Sequence, residues 1–374
     1  MAVHICRHHR QLFQNLFLNL YTPHVQRLDV SSFHSSICKQ NAHKHWNKAV
    51  SAAEKVVGYP TSFMNLRFWL SDEMSNVAVN MRKLIGTKHP LMKTAKGLLF
   101  DNKENMQTRG LVVLLLSKAG GYPEHAREFT HHPLDQSYST VSAQPMETSS
   151  GNGILSTQRS LAEITEMINT AFVLHKGVMD IDLSDRKKPF DSDTEDLLYG
   201  NKMALLSGDY LLAKASSGLA ALGNTYVVEI MASAISDLMQ SGFVESELDS
   251  SDAEPTLELW ETWAYKNGAS LYAKSCQSAL MLSEHPEDVS EKAYEFGRCF
   301  GFLRQMRTEV EEARSVGGIC DHPLSLNNIL SNKEVQQVKE KYIYLAINSI
   351  SQLPNVEARK ALVNVVHALS ANIS

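Results

Sequence analysis

Apolar residues recur every three or four positions through most of the chain, the spacing that gathers them on one face of a helix. The clearest run is 161–180, LAEITEMINTAFVLHKGVMD, where Leu161, Ile164, Ile168, Ala171 and Phe172 predict the buried face of one long helix. Residues 67–86 carry Leu70, Met74, Val77, Met81 and Leu84 at the same spacing, after a turn and cap at Pro60-Thr61-Ser62. A turn at 86–90 separates this segment from another helix over 91–100. The run LVVLLLSKA at 111–119 suits a buried strand or a buried helix, and its helical neighbours decide for helix. Further helices are predicted from Gly200 to about Leu222, and over 227–239, 269–283, 289–313, 335–353 and 356–371. No stretch alternates with the period of a strand, and no repeat is found. The pattern predicts an all-α protein with roughly ten helices in one large bundle.

Four stretches break the pattern. Residues 120–157 hold Gly, Pro, His, Ser and Thr and predict a long loop. A charged loop is expected over 181–197, an acidic one with Pro255 over 245–258, and a Gly, Pro and Asn-containing break over 315–328. The helix beginning at Gly200 is rich in small residues, among them Ala204, Ser207, Gly208, Ala215 and Gly218, which suits a position at the centre of a bundle.

Composition changes this picture mainly at the N-terminus. Residues 1–53 contain a single acid, Asp29, against Arg7, Arg10, Arg27, Lys39, Lys44 and Lys48. Phe13, Leu16, Phe17, Leu20 and Tyr21 align as one apolar stripe. A basic, acid-poor, amphipathic start is the composition of a mitochondrial transit peptide, with a disordered tail as the alternative. The apolar run is too short for a membrane span. The expected division is a targeting segment at 1–45 and one helical domain at 46–374. The net charge of −5 exerts no general pull on nucleic acid. Cys6, Cys38, Cys276, Cys299 and Cys320 are scattered, which excludes paired zinc-site spacing and a disulfide framework.

Several segments together resemble the trans-isoprenyl (polyprenyl) diphosphate synthase family. Glu166, Ile168, Leu174 and His175 keep the frame of its first aspartate-rich motif, Ala-Glu-x-Ile-x-x-x-x-x-Leu-His-Asp-Asp-x-x-Asp. Lys176 and Gly177 stand where two aspartates are expected, and only Asp180 remains. The segment from Gly200-Asn201-Lys202 to Gly208-Asp209-Tyr210-Leu211-Leu212-Ala213 is similar to the family's Gly-Asn-Lys-x-Ala-x-Leu-x-Gly-Asp-x-Leu-Leu-Ala nearly throughout. Asn267-Gly268 replaces a Lys-Thr pair ahead of Leu271 and Ser275-Cys276. Phe296-Gly297, Gly301 and Gln305 resemble the lead into the second aspartate-rich motif, with Arg304 in place of Phe. That motif falls on Thr308, Glu309 and Glu312.

The resemblance implies an isoprenoid-synthase helical fold. In such a fold, facing carboxylates would hold Mg²⁺ on an allylic diphosphate. It also implies that Lys88, Lys202 and Asp209 mark weak substrate contacts. Helix pairing rules favour a Lys176–Asp180 salt bridge over a metal, and place Glu309 and Glu312 against Arg304, Arg307 or Arg314 on the helix surface. An intact framework with lost ligands resembles the heteromeric long-chain members. It implies a mitochondrial, non-catalytic subunit that leaves Mg²⁺ to a catalytic partner subunit; together the two would extend an allylic diphosphate with isopentenyl diphosphate units for the ubiquinone side chain. A self-sufficient transferase using Asp180, Glu309 and Glu312, and a non-enzymatic helical adaptor, are the alternatives.

Overall fold

The computed structural model describes residues 45–58, 108–121, 153–181, 192–249, 254–316, 322–371 and 373. The segment 1–44, the helices expected at 67–86 and 91–100, Lys88, and most of the 120–157 loop lie outside them. Among the described residues the protein is all-helical, with no strand.

The first helix, α1, covers 45–57 and buries Trp46, Ala53 and Val57. The second, α2 (Thr108–Gly120), is apolar all round and buried on nearly every side. A helix with no polar face belongs inside a protein. Its two buried hydroxyls are met: Ser117 donates to the Val113 carbonyl at 2.8 Å, and Thr108 pairs with the Tyr272 hydroxyl at 3.2 Å.

Beside it runs α3 (Ser156–Lys176), with Leu161, Ile164, Ile168, Ala171 and Phe172 buried as the spacing predicts. The buried Glu166 accepts the Gly110 backbone N–H at 2.8 Å, supplying from α3 a cap to the first turn of α2. Burial pushes its carboxyl up to about 7, against the pull of Arg109 and the backbone N–H groups. The helix stops at Lys176, not Asp180.

Next come α4 (Ser192–Ala221) and α5 (Thr225–Asp249), joined by a tight turn. Gly223 takes a left-handed φ of 71° there, which glycine adopts without strain. The charged loop expected at 181–197 is thus partly helix, because its polar side chains are solvated on the first turns of α4. The small residues of α4 do not all face a bundle centre. Ala204, Gly208 and Ala215 point inward, while Ala213, Ser216, Ser217 and Ala220 are exposed.

A short helix not anticipated from the sequence, α6 (Leu257–Ala264), buries Trp260 and Trp263. The Thr256 hydroxyl caps it by accepting the Leu259 N–H at 3.2 Å. A π turn at Tyr265–Ala269 leads into α7 (Ser270–Met281). The central α8 (Glu287–Val316) lies along α7 at backbone contact. A side chain added at Gly297 would meet the Tyr272 carbonyl at 2.4 Å, and one at Gly301 would meet Ala269 Cα at 2.4 Å. Two glycines one turn apart therefore let the helices touch. Tyr272 meets Phe300 and Phe300 meets Phe296 in tilted ring pairs at 5.2 and 6.0 Å, and Phe302 meets Tyr342 from the C-terminal part of the chain at 4.9 Å.

The chain closes with α9 (Leu326–Ile329), α10 (Asn332–Ser349) and α11 (Val356–Ser370). The Asn355 side chain caps α11 on the Ala358 N–H, and its own N–H donates to Ala119 at the end of α2. The C-terminal hairpin is tied in this way to the buried second helix.

Candidate functional site

Where α3 ends, the backbone is held from outside. Gly177 follows the last helical residue, and Val178–Asp180 are not helical. The Asn201 carboxamide takes both backbone groups of Met179, accepting its N–H at 2.8 Å and donating to its carbonyl at 2.7 Å. This clamp gives Asn201 of the Gly-Asn-Lys segment a structural task. One turn earlier, His175 seats its ring on Gly208, where a Cβ would lie 2.1 Å from Nε2. The same nitrogen lies 3.3 Å from Asp209, whose side chain is 68% exposed. Lys202, seven residues before Asp209 on α4, is exposed.

Because the helix stops at Lys176, the i,i+4 geometry needed for a helical Lys176–Asp180 bridge does not form. Lys176 instead donates to Asn267 Oδ1 of the π turn at 2.6 Å and sits over the Phe172 ring at 4.9 Å. From there hydrogen bonds run on without a gap. Asn267 Nδ2 donates to Gln305 Oε1 at 3.2 Å, and Gln305 Nε2 donates to Glu309 Oε1 at 3.2 Å. The two amides point the same way, from the ammonium to the carboxylate, so each bond polarises the next. The relay joins Lys176 of the first motif, Asn267 of the replaced Lys-Thr pair and Glu309 of the second motif.

Glu309 is 3% exposed, not on the helix surface as pairing rules suggested. Besides Gln305 it accepts Trp260 Nε1–H at 2.7 Å, the Leu326 N–H at 2.9 Å and the Ser325 hydroxyl at 3.3 Å. Burial pushes its carboxyl above the ordinary range, while these donors pull it back. Both oxygens are committed to protein donors, and one of them caps α9. Glu312 is exposed on α8, as expected; desolvation by the surrounding protein still raises its carboxyl, opposed by His322 and Lys176. The Thr308 hydroxyl bonds back to the Arg304 carbonyl at 3.0 Å within its own helix. Two of the arginines turn to Glu311 and not to Glu309. Arg307 donates to Glu311 at 2.6 Å and lies over the Trp46 ring at 4.7 Å, while Arg304 approaches Glu311 at 3.8 Å.

This donor set does not fit Mg²⁺. A hard cation needs several free oxygens, yet the first motif keeps only Asp180 beside the Lys176 ammonium, and the second keeps Glu312 beside a Glu309 already saturated by N–H and O–H donors. Among the described residues no group of three or more His, Cys, Asp or Glu side chains is placed to hold a metal. The relay was only partly readable beforehand. Gln305 and Glu309 stand at i,i+4, a visible signal, but Trp260 and Leu326 come from distant parts of the chain.

The helices and their order define a protein of the isoprenoid-synthase fold. The decaprenyl diphosphate synthase of Rhodobacter capsulatus superposes with a TM-score of 0.51 at 17% identity, over 83% of this chain and 98% of that one. Residues 106–310 match the polyprenyl synthetase family, and the chain belongs to that family. Lys88 lies ahead of the matched segment. Similar proteins include a rat all trans-polyprenyl-diphosphate synthase, PDSS2, 43% identical over 272 residues, covering 71% of this chain. A probable mitochondrial hexaprenyl pyrophosphate synthase of Yarrowia lipolytica is 32% identical over 299 residues, 70% of this chain and 65% of that protein. The chain spans 63% of the length of the rat relative.

Proposed function

We propose that this chain is the non-catalytic, required subunit of a heteromeric, mitochondrial long-chain trans-polyprenyl diphosphate synthase. Its partner is a catalytic family member that holds Mg²⁺ and condenses isopentenyl diphosphate onto an allylic diphosphate, building the ubiquinone side chain. The single observation that carries this reading is the state of Glu309. A carboxylate saturated by Trp260, Gln305, Ser325 and Leu326 is a structural clamp, and the opposite motif presents Lys176. Membership of the family and the names of the rat and Yarrowia relatives support the reaction class and the compartment. On this reading residues 1–45 carry the address and 46–374 form the helical domain, with 120–157 as its long loop.

The test is incorporation of labelled isopentenyl diphosphate with Mg²⁺ by the purified chain, by its partner, and by both together. The expected result is elongation by the pair and none by this chain alone. Robust elongation by this chain alone overturns the proposal in favour of a self-sufficient transferase.

A further inference from the structure

Three arginines meet where α1, α2 and α8 come together. Arg109 stands on the first turn of α2, and Arg304 and Arg307 lie one turn apart on α8. Aromatic faces hold two of them flat. Arg307 lies over the Trp46 ring at 4.7 Å and Arg109 over the Tyr272 ring at 4.8 Å. Stacking of this kind fixes a guanidinium plane and leaves its N–H edge to find an acceptor.

The acceptors run short. Among the described residues, Arg109 Nε, Arg304 Nη1, Arg307 Nη1 and Trp46 Nε1 are buried without a hydrogen-bond partner. Arg307 and Trp46 are each 1% exposed. One carboxylate serves both arginines of α8. Glu311 takes Arg307 Nε at 2.6 Å and stays 3.8 Å from Arg304 Nη1. Glu166 faces Arg109, but burial pushes its carboxyl up to about 7, so it offsets that charge only in part. Burial, with the like charges of Arg307 and Arg109, holds the Arg304 guanidinium below its ordinary range, against the pull of Tyr272 and Glu311. Positive charge is therefore in excess here, in an environment where an unpaired ion is strongly unfavourable.

There is room beside the arginines. A Cβ added at Gly268 in the π turn would meet only Arg109 Nη2, at 3.7 Å. The Arg304 side chain keeps 14% exposure, which opens the cluster to solvent. Chemistry selects the ligand. Every unmet group is an N–H donor, and three of the four belong to planar forks. A phosphate group brings several oxygens at the spacing of such forks and up to two negative charges, whereas a carboxylate brings two oxygens and one charge. Arg304 stands where the resembled pattern has Phe, and Trp46 lies ahead of the family-matched segment 106–310, so this donor set is peculiar to this chain's own residues.

We propose that Arg304, Arg307 and Arg109, with the Trp46 indole N–H, form a metal-independent site for one phosphate group, as the free ion or as the head of a phosphate ester. The site goes beyond the proposed function and does not depend on it. The test is calorimetric titration of the purified full chain in EDTA, with inorganic phosphate and methyl phosphate as separate ligands, and thermal melts alongside. The expected result is saturable binding of phosphate at one site per chain, unchanged when Mg²⁺ replaces EDTA, with a melting temperature that rises with ligand. Methyl phosphate binding as tightly as the free ion identifies an ester head group, and binding of phosphate alone identifies the free ion; both bear the proposal out.

Arg304→Met should weaken binding about tenfold or more, the worth of one charge-assisted hydrogen bond, without lowering the melting temperature of the unliganded chain. Lys292→Met, at an exposed site on the same helix, should bind as the parent does. If the Met variant does not fold, Arg304→Lys is read in its place, since it keeps the charge and loses the fork, and the same weakening is expected. No saturable binding by the folded parent at millimolar phosphate overturns the proposal. So does binding that requires Mg²⁺, or binding within about twofold of the parent in a folded Arg304 variant.

Discussion

Replacing Glu309 by alanine should unfold this protein more readily, although the position belongs to a motif associated with metal binding. The substitution removes the acceptor for four donors, of which the Trp260 indole N–H, the Ser325 hydroxyl and the Leu326 backbone N–H belong to residues only 0%, 1% and 2% exposed. Each orphaned buried donor costs about 1–3 kcal/mol. The burial that lifts the Glu309 carboxyl shows that housing the group is itself costly, and removing it offsets part of the loss. The net expectation is ~2–4 kcal/mol, within the range known for breaking a buried network. Glu309→Gln should cost less, since it keeps one acceptor for Trp260 and Gln305. Urea denaturation of parent and variants, read at fixed protein concentration with and without Mg²⁺, gives the numbers. A loss below about 0.5 kcal/mol would refute the clamp, because two buried donors cannot be orphaned so cheaply. So would a stabilisation of the parent by Mg²⁺ that vanishes in Glu309→Ala, since that is the behaviour of a ligand.

Three other outcomes follow from the same structure. Burial holds the Glu166 carboxyl near 7 in the folded chain against 4.5 when unfolded, so the neutral form favours folding. Its contribution is full below pH 4.5 and is lost as pH rises to about 7, by at most ~3 kcal/mol; Glu166→Gln should flatten the melting temperature between pH 5 and 7.5, and identical pH slopes would contradict this. Gly297→Ala drives a methyl to within 2.4 Å of the Tyr272 carbonyl and should cost ~3 kcal/mol or more, read as soluble yield and melting temperature. Asn201→Ala frees both backbone groups of Met179 and should cost ~1–2 kcal/mol, with faster amide exchange at Met179 than at Leu174.

The helical class and the buried faces were legible because they depend on spacing, which a single chain displays. Leu161 to Phe172 faces inward as its period requires. Boundaries were less legible because tertiary contacts set them. The first-motif helix ends at Lys176 since Asn201, from another helix, occupies the backbone of Met179. The helix at Leu257–Ala264 was hidden because its two tryptophans sit beside an acidic, proline-containing stretch that reads as loop. The fate of the carboxylates was the least legible. Surface pairing with nearby arginines was the natural local reading for Glu309, but the donors that bury it come from Trp260, 49 residues away, and Leu326, 17 away. The small residues of α4 were visible; that Ser216 and Ser217 point outward with satisfied hydroxyls is a property of the fold.

The central claim is that the remaining carboxylates of this chain no longer carry catalysis. The direct measurement is turnover of the reconstituted pair containing Asp180→Asn with Glu312→Gln in this chain, expressed as kcat per assembled complex. Asp180 is half-buried and Glu312 exposed, so the complex can be assembled and counted. The account predicts a kcat within about twofold of the parent pair, which corresponds to under ~0.5 kcal/mol of barrier. A fall of about 100-fold or more, with assembly intact, would show that these carboxylates still act on the diphosphate and would contradict the account.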